Sequence, residues 1–478
     1  MASLLEYDVT VIGAGIVGAA CARELSRYRL RIALLEKEAD VGFGTSKANS
    51  GIVHSGVHEK PGTAKADLCV SGSRLYPELA AALDVLYRQN GMVIVASEPD
   101  ELPILERLRQ NGLANGLSGL RLLDREELLR LEPHLSPALA GGLLAPSGGI
   151  VVPFDLVFAL TENAVTNGAS LMVNATVLGI DQLTDGFIIR TAKGALKTGY
   201  IVNAAGLWGQ EIAALIDDHS FTIRVRKGEE YLMDRNLEGL VRHTVFPLPT
   251  KASKGILVIP TVDGNIMIGP TSHPVATGSD WATTAGGWQE VYQNAVRLVP
   301  ALRPADLITS FAGLRAARDD GDFIIAPSPA APRMIHAAGV QSPGLTAAPA
   351  IARLIADLLR EAGLAMKPRR DFHPERRLIH LRNLPREEQA ALMRRDPDYA
   401  RIVCRCEFVS EAEIREAIRR GATTLDGVKL RTRTGMGRCQ GGFCTPRLIQ
   451  ILSEELNLPP AAVTKKGPGS TLLTGKLR

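Results

Sequence analysis

Apolar residues near the start of the chain follow a strand–helix–strand pattern. Residues 8–12 form a short, β-branched apolar run, which is typical of a buried parallel strand. Residues 19–27 then show helical spacing, with Ala22 and Leu25 on the side expected to face the sheet. A second apolar run follows at residues 31–35. The pattern therefore predicts two parallel strands joined by a crossover helix.

The later pattern predicts a second kind of sheet. Helical spacing recurs at residues 67–87, 98–111, 124–131 and 156–167, and strand-like runs occur at 91–96 and 169–180. From about residue 221 to 310, apolar and polar positions alternate, with a turn at residues 263–265. The expected fold class is therefore α/β and α+β, with a Rossmann-like domain and an antiparallel-sheet domain.

Length and composition set broad limits. The chain has 478 residues, of which 45% are hydrophobic and 22% are charged. These values are those of an ordinary globular protein with two or three domains. No apolar run reaches the roughly eighteen residues of a membrane span, and the first residues lack an export signal. We therefore expect a cytoplasmic protein.

Charge is distributed unevenly along the chain. Residues 1–365 contain 32 Lys and Arg against 38 Asp and Glu, whereas residues 366–478 contain 23 against 13. This change predicts a domain boundary near residue 365. The basic segment has only four aromatic residues and no nucleic-acid-binding motif. We expect it to be a protein-docking face or solvated surface, and we expect no nucleic-acid partner.

Three glycines follow the first predicted strand at dinucleotide-binding spacing. Gly13 allows a tight turn, Gly15 lets a pyrophosphate approach the backbone, and Gly18 lets the helix lie close to the strand. The helix N-terminus offers free N–H groups and a positive dipole end to phosphate. Glu36, which follows the second predicted strand, is suited to accept hydrogen bonds from a ribose diol.

The six cysteines divide into two groups. Cys21 and Cys69 fall in predicted helices and are expected to be small buried hydrophobic residues. The other four form two close pairs in the last quarter of the chain, Cys404/Cys406 and Cys439/Cys444. In a cytosolic protein, such pairs favour a metal or redox centre. An iron–sulfur cluster, a structural zinc ion and disulfides remain as alternatives.

A loop rich in Gly and Ser follows Glu36, and it carries a specific resemblance. Residues 40–56 resemble the flavin-contacting loop of the FAD-dependent D-amino-acid-oxidase-like superfamily. The similar branch contains glycerol-3-phosphate dehydrogenases and L-2-hydroxyglutarate oxidases. Thr45 and Ser46 match positions near the FAD phosphates, and residues 49–56 match the run that passes the isoalloxazine ring. The resemblance implies that the cofactor is FAD.

Two later segments resemble the second and third FAD motifs of this superfamily. Residues 201–208 form a strand that ends in small residues, and residues 335–346 form a strand, a loop and a helix start. That helix N-terminus is expected to stabilise negative charge on the reduced ring. The resemblance implies the following cofactor contacts: Gly13, Gly15, Ile16, Val17, Gly18, Glu36, Lys37, Thr45, Ser46, Asn49, Ser50, Gly51, Val177, Ala205, Gly206, Trp208, Gly313, Gly339, Ser342, Gly344, Leu345 and Thr346.

The resemblance also implies four residues for catalysis or substrate binding. His54 is the best-placed imidazole for catalysis or substrate binding. Residues 311–317 resemble a motif that carries a substrate-anion arginine, here Arg315, although Ala316 stands where the family often has proline. A guanidinium suits this role because it stays charged and grips carboxylate or phosphate through two hydrogen bonds. A segment near the substrate adds Arg226 and Tyr231.

The last quarter of the chain resembles a bacterioferritin-associated-ferredoxin-like [2Fe–2S] domain, in the form fused to flavin dehydrogenases. The second cysteine pair is spaced by four residues, as in that form. The resemblance implies four cluster ligands, Cys404, Cys406, Cys439 and Cys444. Four nearby arginines are expected to offset the negative charge of the cluster, Arg405, Arg431, Arg433 and Arg438.

These segments predict the domain boundaries. The FAD-dependent oxidoreductase region is expected at 1–365, with FAD-binding segments at about 1–80, 150–215 and 310–365. Its substrate domain is expected at about 85–150 and 216–310. A linker packed along the first domain follows at 366–400, then the cluster domain at 401–460 and a tail at 461–478. Ser410 and Glu413 predict a capping box at a helix start in the cluster domain.

The whole resemblance implies an FAD-dependent dehydrogenase that oxidises a small anionic hydroxy substrate and passes electrons through the cluster. The first expected reaction converts sn-glycerol 3-phosphate to dihydroxyacetone phosphate. L-2-hydroxyglutarate, or another 2-hydroxy acid or amino acid, is the alternative substrate. A non-catalytic electron-transfer subunit is the alternative of another class. Expected partners are electron-accepting subunits or the quinone pool, with an oligomeric assembly and peripheral membrane association through a partner.

Overall fold

The computed structural model describes residues 4–249 and 254–475. Its α-helices are α1 (Ile16–Leu25), α2 (Ala64–Leu83), α3 (Leu102–Ala114), α4 (Arg125–Leu131), α5 (Pro153–Thr166), α6 (Gly209–Ala214), α7 (Ala285–Leu298), α8 (Gly344–Glu361), α9 (Arg386–Arg395), α10 (Pro397–Ala400), α11 (Glu411–Arg419), α12 (Leu425–Thr432) and α13 (Thr445–Leu456).

Its strands are β1 (Leu5–Ile12), β2 (Ile32–Leu35), β3 (Ile52–Val53), β4 (Tyr87–Arg88), β5 (Met92–Ala96), β6 (Arg121–Asp124), β7 (Gly141–Ala145), β8 (Gly149–Val151), β9 (Ser170–Met172), β10 (Val177–Leu183), β11 (Gly186–Thr191), β12 (Gly194–Asn203), β13 (Arg224–Met233), β14 (Thr244–Pro247), β15 (Leu257–Pro260), β16 (Ile266–Gly269), β17 (His273–Pro274), β18 (Leu307–Ala317), β19 (Ile324–Pro327), β20 (Met334–Ala338), β21 (Ile402–Cys404) and β22 (Val409–Ser410).

A mixed sheet around β1 forms the first domain. β2 and β12 flank β1, and both run parallel to it. β9 extends the parallel sheet beyond β2, and β20 extends it beyond the second half of β12. Ala22 and Leu25 of α1 are fully buried in a core shared with β1, α5 and α8. The predicted strand–helix–strand unit and its buried helix face are therefore confirmed.

A larger sheet forms the second domain. Its strands follow the order β17-β13-β16-β15-β14-β5-β7-β6, and β18 also pairs with β13. β15 and β16 are antiparallel neighbours on either side of the predicted turn at residues 263–265. One pair differs from the expected antiparallel pattern, because β14 and β5 are parallel. These two strands come from distant segments of the chain, so no hairpin sets their relative direction.

A small C-terminal domain contains β21, β22 and α11 to α13 around its own apolar core. Ser410 and Glu413 form the predicted capping box at the start of α11. The preceding segment runs along the first domain, where Arg29 donates its N–H to the carbonyl of Lys367 at 2.9 Å. The predicted linker also contains α9 and α10, because residues 386–395 are mostly good helix formers.

Two of the cysteines lie far from any surface. Cys21 and Cys69 are fully buried, as expected of small hydrophobic residues. Burial raises the pKa of both thiols well above the ordinary value. In the described parts of the chain, no helix combines the length and apolar character that a membrane span requires.

Candidate active site

A cavity of about 1100 Å³ lies where the first and second domains meet. It is lined by the turn after β1, the loop before β3, the ends of β2 and β12, strands β13 and β18, and the loop before α8. Most of the expected cofactor contacts line it. Four of the expected contacts do not line the cavity: Gly18, Gly51, Gly339 and Thr346.

The glycine-rich turn brings the backbone of β1 close to that of β12. Gly13 has a φ of +98°, and a Cβ there would lie 2.5 Å from the carbonyl oxygen of Ala204. A Cβ on Gly18 would overlap the carbonyl oxygen of Gly13. α1 begins at Ile16 directly after Gly15, so its N-terminus faces the cavity. The turn has the close approach and the helix start that a pyrophosphate requires.

Glu36 is fixed at the edge of this cavity by backbone donors. Its carboxylate accepts hydrogen bonds from the N–H groups of Ala14 and Glu38, each at 2.9 Å. Burial raises the pKa of Glu36. Nearby, the ammonium of Lys37 lies 5.5 Å from the ring centroid of Trp208, and both residues line the cavity with Val177. This end of the cavity fits a ribose and a base.

The loop after β2 is held against β18. Thr45 donates its hydroxyl hydrogen to the carbonyl of Leu314 at 2.6 Å. Ser46 accepts a hydrogen bond from the N–H of Ile16 at 2.9 Å, which ties the loop to the start of α1. A Cβ on Gly313 would lie 2.5 Å from the carbonyl oxygen of Ala48. A glycine is therefore required where the loop crosses β18.

His54 is buried and lines the cavity beside the loop before α8. Its backbone N–H donates to the hydroxyl of Thr346 at 2.9 Å, and its Nε2 lies 3.2 Å from the hydroxyl of Ser342. Its Nδ1 is buried and has no hydrogen-bond partner among the described residues. Burial, together with Lys254 and His58, lowers the pKa of His54 well below the ordinary value. The imidazole is therefore neutral near pH 7.

A second imidazole and a lysine at this end were not among the sequence predictions. His58 lines the cavity with a buried, unpartnered Nε2, and burial lowers its pKa to about 3. The ammonium of Lys254 lies 2.5 Å from Glu59 Oε1, and that of Lys65 lies 3.4 Å from Oε2. His58 lies in a turn after β3, and no local pattern distinguishes its side chain from a structural histidine.

Arg315 reaches the cavity across a glycine of the neighbouring strand. Its Nη1 donates to the carbonyl of Thr271 at 3.2 Å, and a Cβ on Gly228 would overlap its guanidinium. Arg226 lies opposite Arg315 in the β13–β18 register, and its Nη2 donates to the carbonyl of Ser272 at 3.0 Å. Both arginines line the cavity. They can bind an anionic substrate there.

The expected contact from Tyr231 is corrected by the geometry of β13. Tyr231 does not line the cavity, and its hydroxyl donates to Glu229 at 2.8 Å on the other face of the sheet. Side chains alternate along a strand, so Glu230 faces the cavity with Arg226. Arg226 and Glu230 are four residues apart, so a strand places them on the same face. This spacing is the sequence signal that would have identified Glu230.

Glu230 is an ionisable group inside the cavity. Its Oε1 accepts a hydrogen bond from the hydroxyl of Ser50 at 2.6 Å, and its Oε2 is buried with no partner among the described residues. Burial raises the pKa of Glu230 to about 7, and the charge of Arg315 opposes that rise. The carboxyl group therefore changes its charge near neutral pH.

The four clustered cysteines form two neighbouring pairs in the C-terminal domain. The thiols of Cys404 and Cys444 are hydrogen-bonded neighbours, and those of Cys406 and Cys439 form a second pair. Backbone N–H groups from Phe443 and the two glycines before it face the Cys439 thiol and lower its pKa. A Cβ on Gly437 would overlap the side chain of Cys406. This donor set fits an iron–sulfur cluster, since thiolates bind the iron and N–H groups stabilise negative charge.

Comparison with known proteins agrees with both sites. Residues 8–358 match the family described as FAD dependent oxidoreductase, and residues 402–454 match the BFD-like [2Fe-2S] binding domain. The chain belongs to the FAD dependent oxidoreductase family. This oxidoreductase binds FAD and a [2Fe–2S] cluster, which confirms the two predicted cofactors.

Three relatives show how far the similarity extends. The oxidoreductase is 41% identical to a glycerol 3-phosphate dehydrogenase from Caloramator mitchellensis, over 98% of each chain. Mitochondrial L-2-hydroxyglutarate dehydrogenase from Bos taurus is 28% identical over 75% of this chain and 90% of its own. The FAD-bound structure of L-alpha-glycerophosphate oxidase from Mycoplasma pneumoniae is 29% identical, with a TM-score of 0.74 over 78% of this chain and 99% of its own.

Two arginines expected to offset the cluster charge instead dock the C-terminal domain of the oxidoreductase on the rest of the chain. Arg431 is buried, with its Nη1 2.5 Å from Asp40 and its Nε 3.3 Å from Glu162. Its guanidinium carbon lies 3.9 Å from the ring centroid of Phe158. Arg433 lies 2.7 Å from Asp263 in the second domain. The sequence could not reveal these roles, because the partners are distant along the chain.

Proposed function

We propose that this oxidoreductase is a dehydrogenase of sn-glycerol 3-phosphate that produces dihydroxyacetone phosphate. One observation carries the proposal: the cavity places a half-buried guanidinium, Arg315, in the same space as a neutral imidazole, His54, whose Nδ1 has no partner among the described residues. A substrate with an anionic group and a neighbouring hydroxyl matches these two groups. The full-length similarity to a glycerol 3-phosphate dehydrogenase supports phosphate as the anion.

The residues of the cavity divide the work of the reaction. Arg315 binds the phosphate through charge-assisted hydrogen bonds, with Arg226 beside it. His54 accepts the hydroxyl proton at Nδ1, the nitrogen that lacks a protein partner. The hydroxyl of Ser342, 3.2 Å from Nε2, holds the imidazole ring in place. Bound FAD would supply the acceptor for the hydride that leaves the carbon bearing the substrate hydroxyl.

The expected cofactor contacts are part of this proposal. The turn at Gly13 and Gly15 with the start of α1 is proposed to hold the pyrophosphate, and Glu36 the ribose. The four cysteines are proposed to bind the cluster, which carries electrons to an acceptor outside the chain. We infer that the acceptor is an electron-accepting protein subunit; the oligomeric assembly stays a prediction.

L-2-hydroxyglutarate is the second candidate substrate. The 28% identity to an L-2-hydroxyglutarate dehydrogenase favours it, and the same arginines suit a carboxylate. Anaerobic titration of the oxidised flavin with each compound distinguishes the two. We expect sn-glycerol 3-phosphate to bleach the flavin absorbance at once and L-2-hydroxyglutarate to leave it unchanged.

The same titration can contradict the proposal. Bleaching by L-2-hydroxyglutarate alone would move the oxidoreductase to the hydroxy-acid reaction. Bleaching by dithionite but by neither substrate would reject both reactions and favour a non-catalytic electron-transfer subunit. The matched variant is Arg315→Ala, which should lose most of the response to substrate; its FAD content is measured beside it, and retained FAD assigns the loss to substrate binding.

A further inference from the structure

An exposed aromatic side chain stands beside the cysteine pairs of the C-terminal domain. Phe443 directly precedes the buried Cys444, and it is 87% exposed. Phe408, two residues after the exposed Cys406, is 36% exposed. Large apolar side chains exposed to this degree often mark an interaction site when they share a face with polar groups. We name the surface formed by Arg405, Cys406, Phe408, Arg438 and Phe443 the cysteine-loop face.

Two unpaired arginines distinguish this face from the rest of the domain. Nine arginines lie between residues 401 and 447, and seven of them form ion pairs with carboxylates. Arg405 and Arg438 are exposed, and neither forms an ion pair with any residue in the described parts of the chain. Both are immediate neighbours of cluster cysteines.

The one carboxylate within the cysteine loops does not neutralise these cations. Glu407 is bound instead by Arg433 at 2.8 Å and by Arg382 at 3.0 Å. Its side chain is only 15% exposed. The cysteine-loop face therefore presents positive charge around an aromatic centre.

We propose that the cysteine-loop face is the docking site of an acidic electron-carrier protein. This inference rests on the proposed function, because a dehydrogenase passes the electrons of its substrate to a carrier outside the chain. Complementary charge steers two redox proteins together, and transient redox interfaces are small enough to fit such a face. Membrane attachment by charge takes about four to eight clustered Lys or Arg, more than the two present here.

The overall reaction sets the number of electrons that each substrate molecule delivers to the carrier. Oxidation of one secondary alcohol to a ketone breaks one C–H bond and one O–H bond. It releases two electrons and two protons, so two one-electron carriers are reduced for each substrate molecule. With cytochrome c as the probe, two ferric haems become ferrous and both protons pass to water.

The test compares two forms of cytochrome c with opposite surface charge. Native cytochrome c is basic, whereas succinylation converts its lysines to carboxylates and leaves the haem in place. We expect the holoenzyme with sn-glycerol 3-phosphate to reduce the succinylated form at least tenfold faster at low salt. That preference should disappear as added salt screens the charges. The association of the oxidised succinylated cytochrome with the substrate-free protein, followed by calorimetry, should show the same salt dependence.

Three variants locate the site. Arg405→Glu with Arg438→Glu should reverse the preference between the two cytochromes. Phe443→Ser should weaken association with the succinylated form about tenfold, which corresponds to about 1.4 kcal/mol. The matched control is Arg419→Glu, whose arginine is exposed in the same domain but paired with Glu416. The control should leave both measurements unchanged.

Each outcome has a distinct meaning. Unchanged preference and association in the double variant, with flavin bleaching by substrate intact, would overturn the docking site and leave the proposed function standing. Absence of bleaching in the wild-type protein would reject the proposed function itself. Binding of phosphatidylserine vesicles that depends on Phe443 and the two arginines would replace the protein partner with an anionic membrane and so overturn the proposal.

Discussion

Ser50 donates a hydrogen bond to Glu230 at 2.6 Å, and this contact joins the loop before β3 to strand β13. It connects a loop of the first domain to the sheet of the second domain at the cavity. Glu230 was not predicted from the sequence, yet it is the group whose charge changes near neutral pH. It also lies in the same cavity as the arginine proposed to bind the substrate anion.

Glu230 is expected to make substrate binding depend on pH. Burial raises the pKa of its carboxyl group to about 7, so the group is neutral at lower pH and ionised at higher pH. An ionised carboxylate repels an anionic substrate, so the dissociation constant should rise by up to about tenfold per pH unit above 7. Glu230→Gln should remove this dependence, as measured by flavin bleaching titrations between pH 6 and about pH 9. An identical pH profile in the variant would assign the titration to another group.

The same raised pKa predicts a change in stability. The folded protein disfavours the ionised form of Glu230 and favours the protonated form. Protonated Glu230 therefore contributes its full stabilisation of the fold below the ordinary pKa of 4.5, and this contribution is lost as pH rises to about 7. The free energy of unfolding of the wild-type protein should fall across this interval relative to that of Glu230→Gln. Denaturant titrations at both ends of the interval measure the difference. Parallel curves for the two proteins would contradict the assigned shift.

Gly228 is expected to determine where Arg315 can lie. A Cβ at this position would overlap the guanidinium, so Gly228→Ala should displace Arg315 and raise the KM for substrate about tenfold or more. The matched control is Gly286→Ala, because a Cβ there meets no heavy atom within 4 Å. Steady-state kinetics and FAD content should be measured for both. Arg315→Lys provides a second variant, and an unchanged KM in both Gly228→Ala and Arg315→Lys would reject the anion-binding role.

Arg431 is expected to hold the C-terminal domain in place. Arg431→Met removes the ion-pair partner of the buried Asp40, whereas Glu162 keeps Arg376 and Arg420, and should cost about 3–5 kcal/mol of stability. Arg419→Met removes only an exposed pair and should cost less than about 1 kcal/mol. Hydrogen exchange should show faster opening of α12 in Arg431→Met alone. Equal protection of α12 in the two variants would reject the anchoring role.

The cysteine pairs are expected to bind iron independently of the flavin. Cys444→Ser should abolish the iron and sulfide content of protein purified without oxygen, because a cluster needs all four ligands. The flavin should still bleach with substrate, whereas reduction of cytochrome c should be lost. Cys69→Ser is the matched control, since that thiol is buried far along the chain from the cluster motif. Zinc without iron in the wild-type protein would reject the cluster assignment.

The sequence predicted features that depend on local pattern. The turn at Gly13, the buried face of α1 and the capping box at Ser410 are each encoded by neighbouring residues, so their positions follow from spacing. Tyr231 was misassigned because the sequence does not show which face of β13 covers the cavity. That choice depends on pairing with β18 and β16, which come from later in the chain.

Charge partners were the least predictable feature. Arg431 and Arg433 follow the first pair of cluster cysteines and precede the second, and this proximity along the chain suggested that they neutralise the cluster. Their carboxylate partners, Asp40 and Asp263, are brought near only by the docking of whole domains. The same limit applies to Lys254 and Glu59, whose contact joins separate domains.

The contact of Arg431 with Asp40 has a consequence for how the chain can be divided. Asp40 lies four residues after Glu36 and five before Thr45, inside the loop that borders the cavity. A protein cut before the C-terminal domain would leave Asp40 without its cation, remove Arg431 from Glu162, which would keep Arg376, and uncover the ring of Phe158. The flavin portion is therefore expected to lose stability when it is separated from the C-terminal domain.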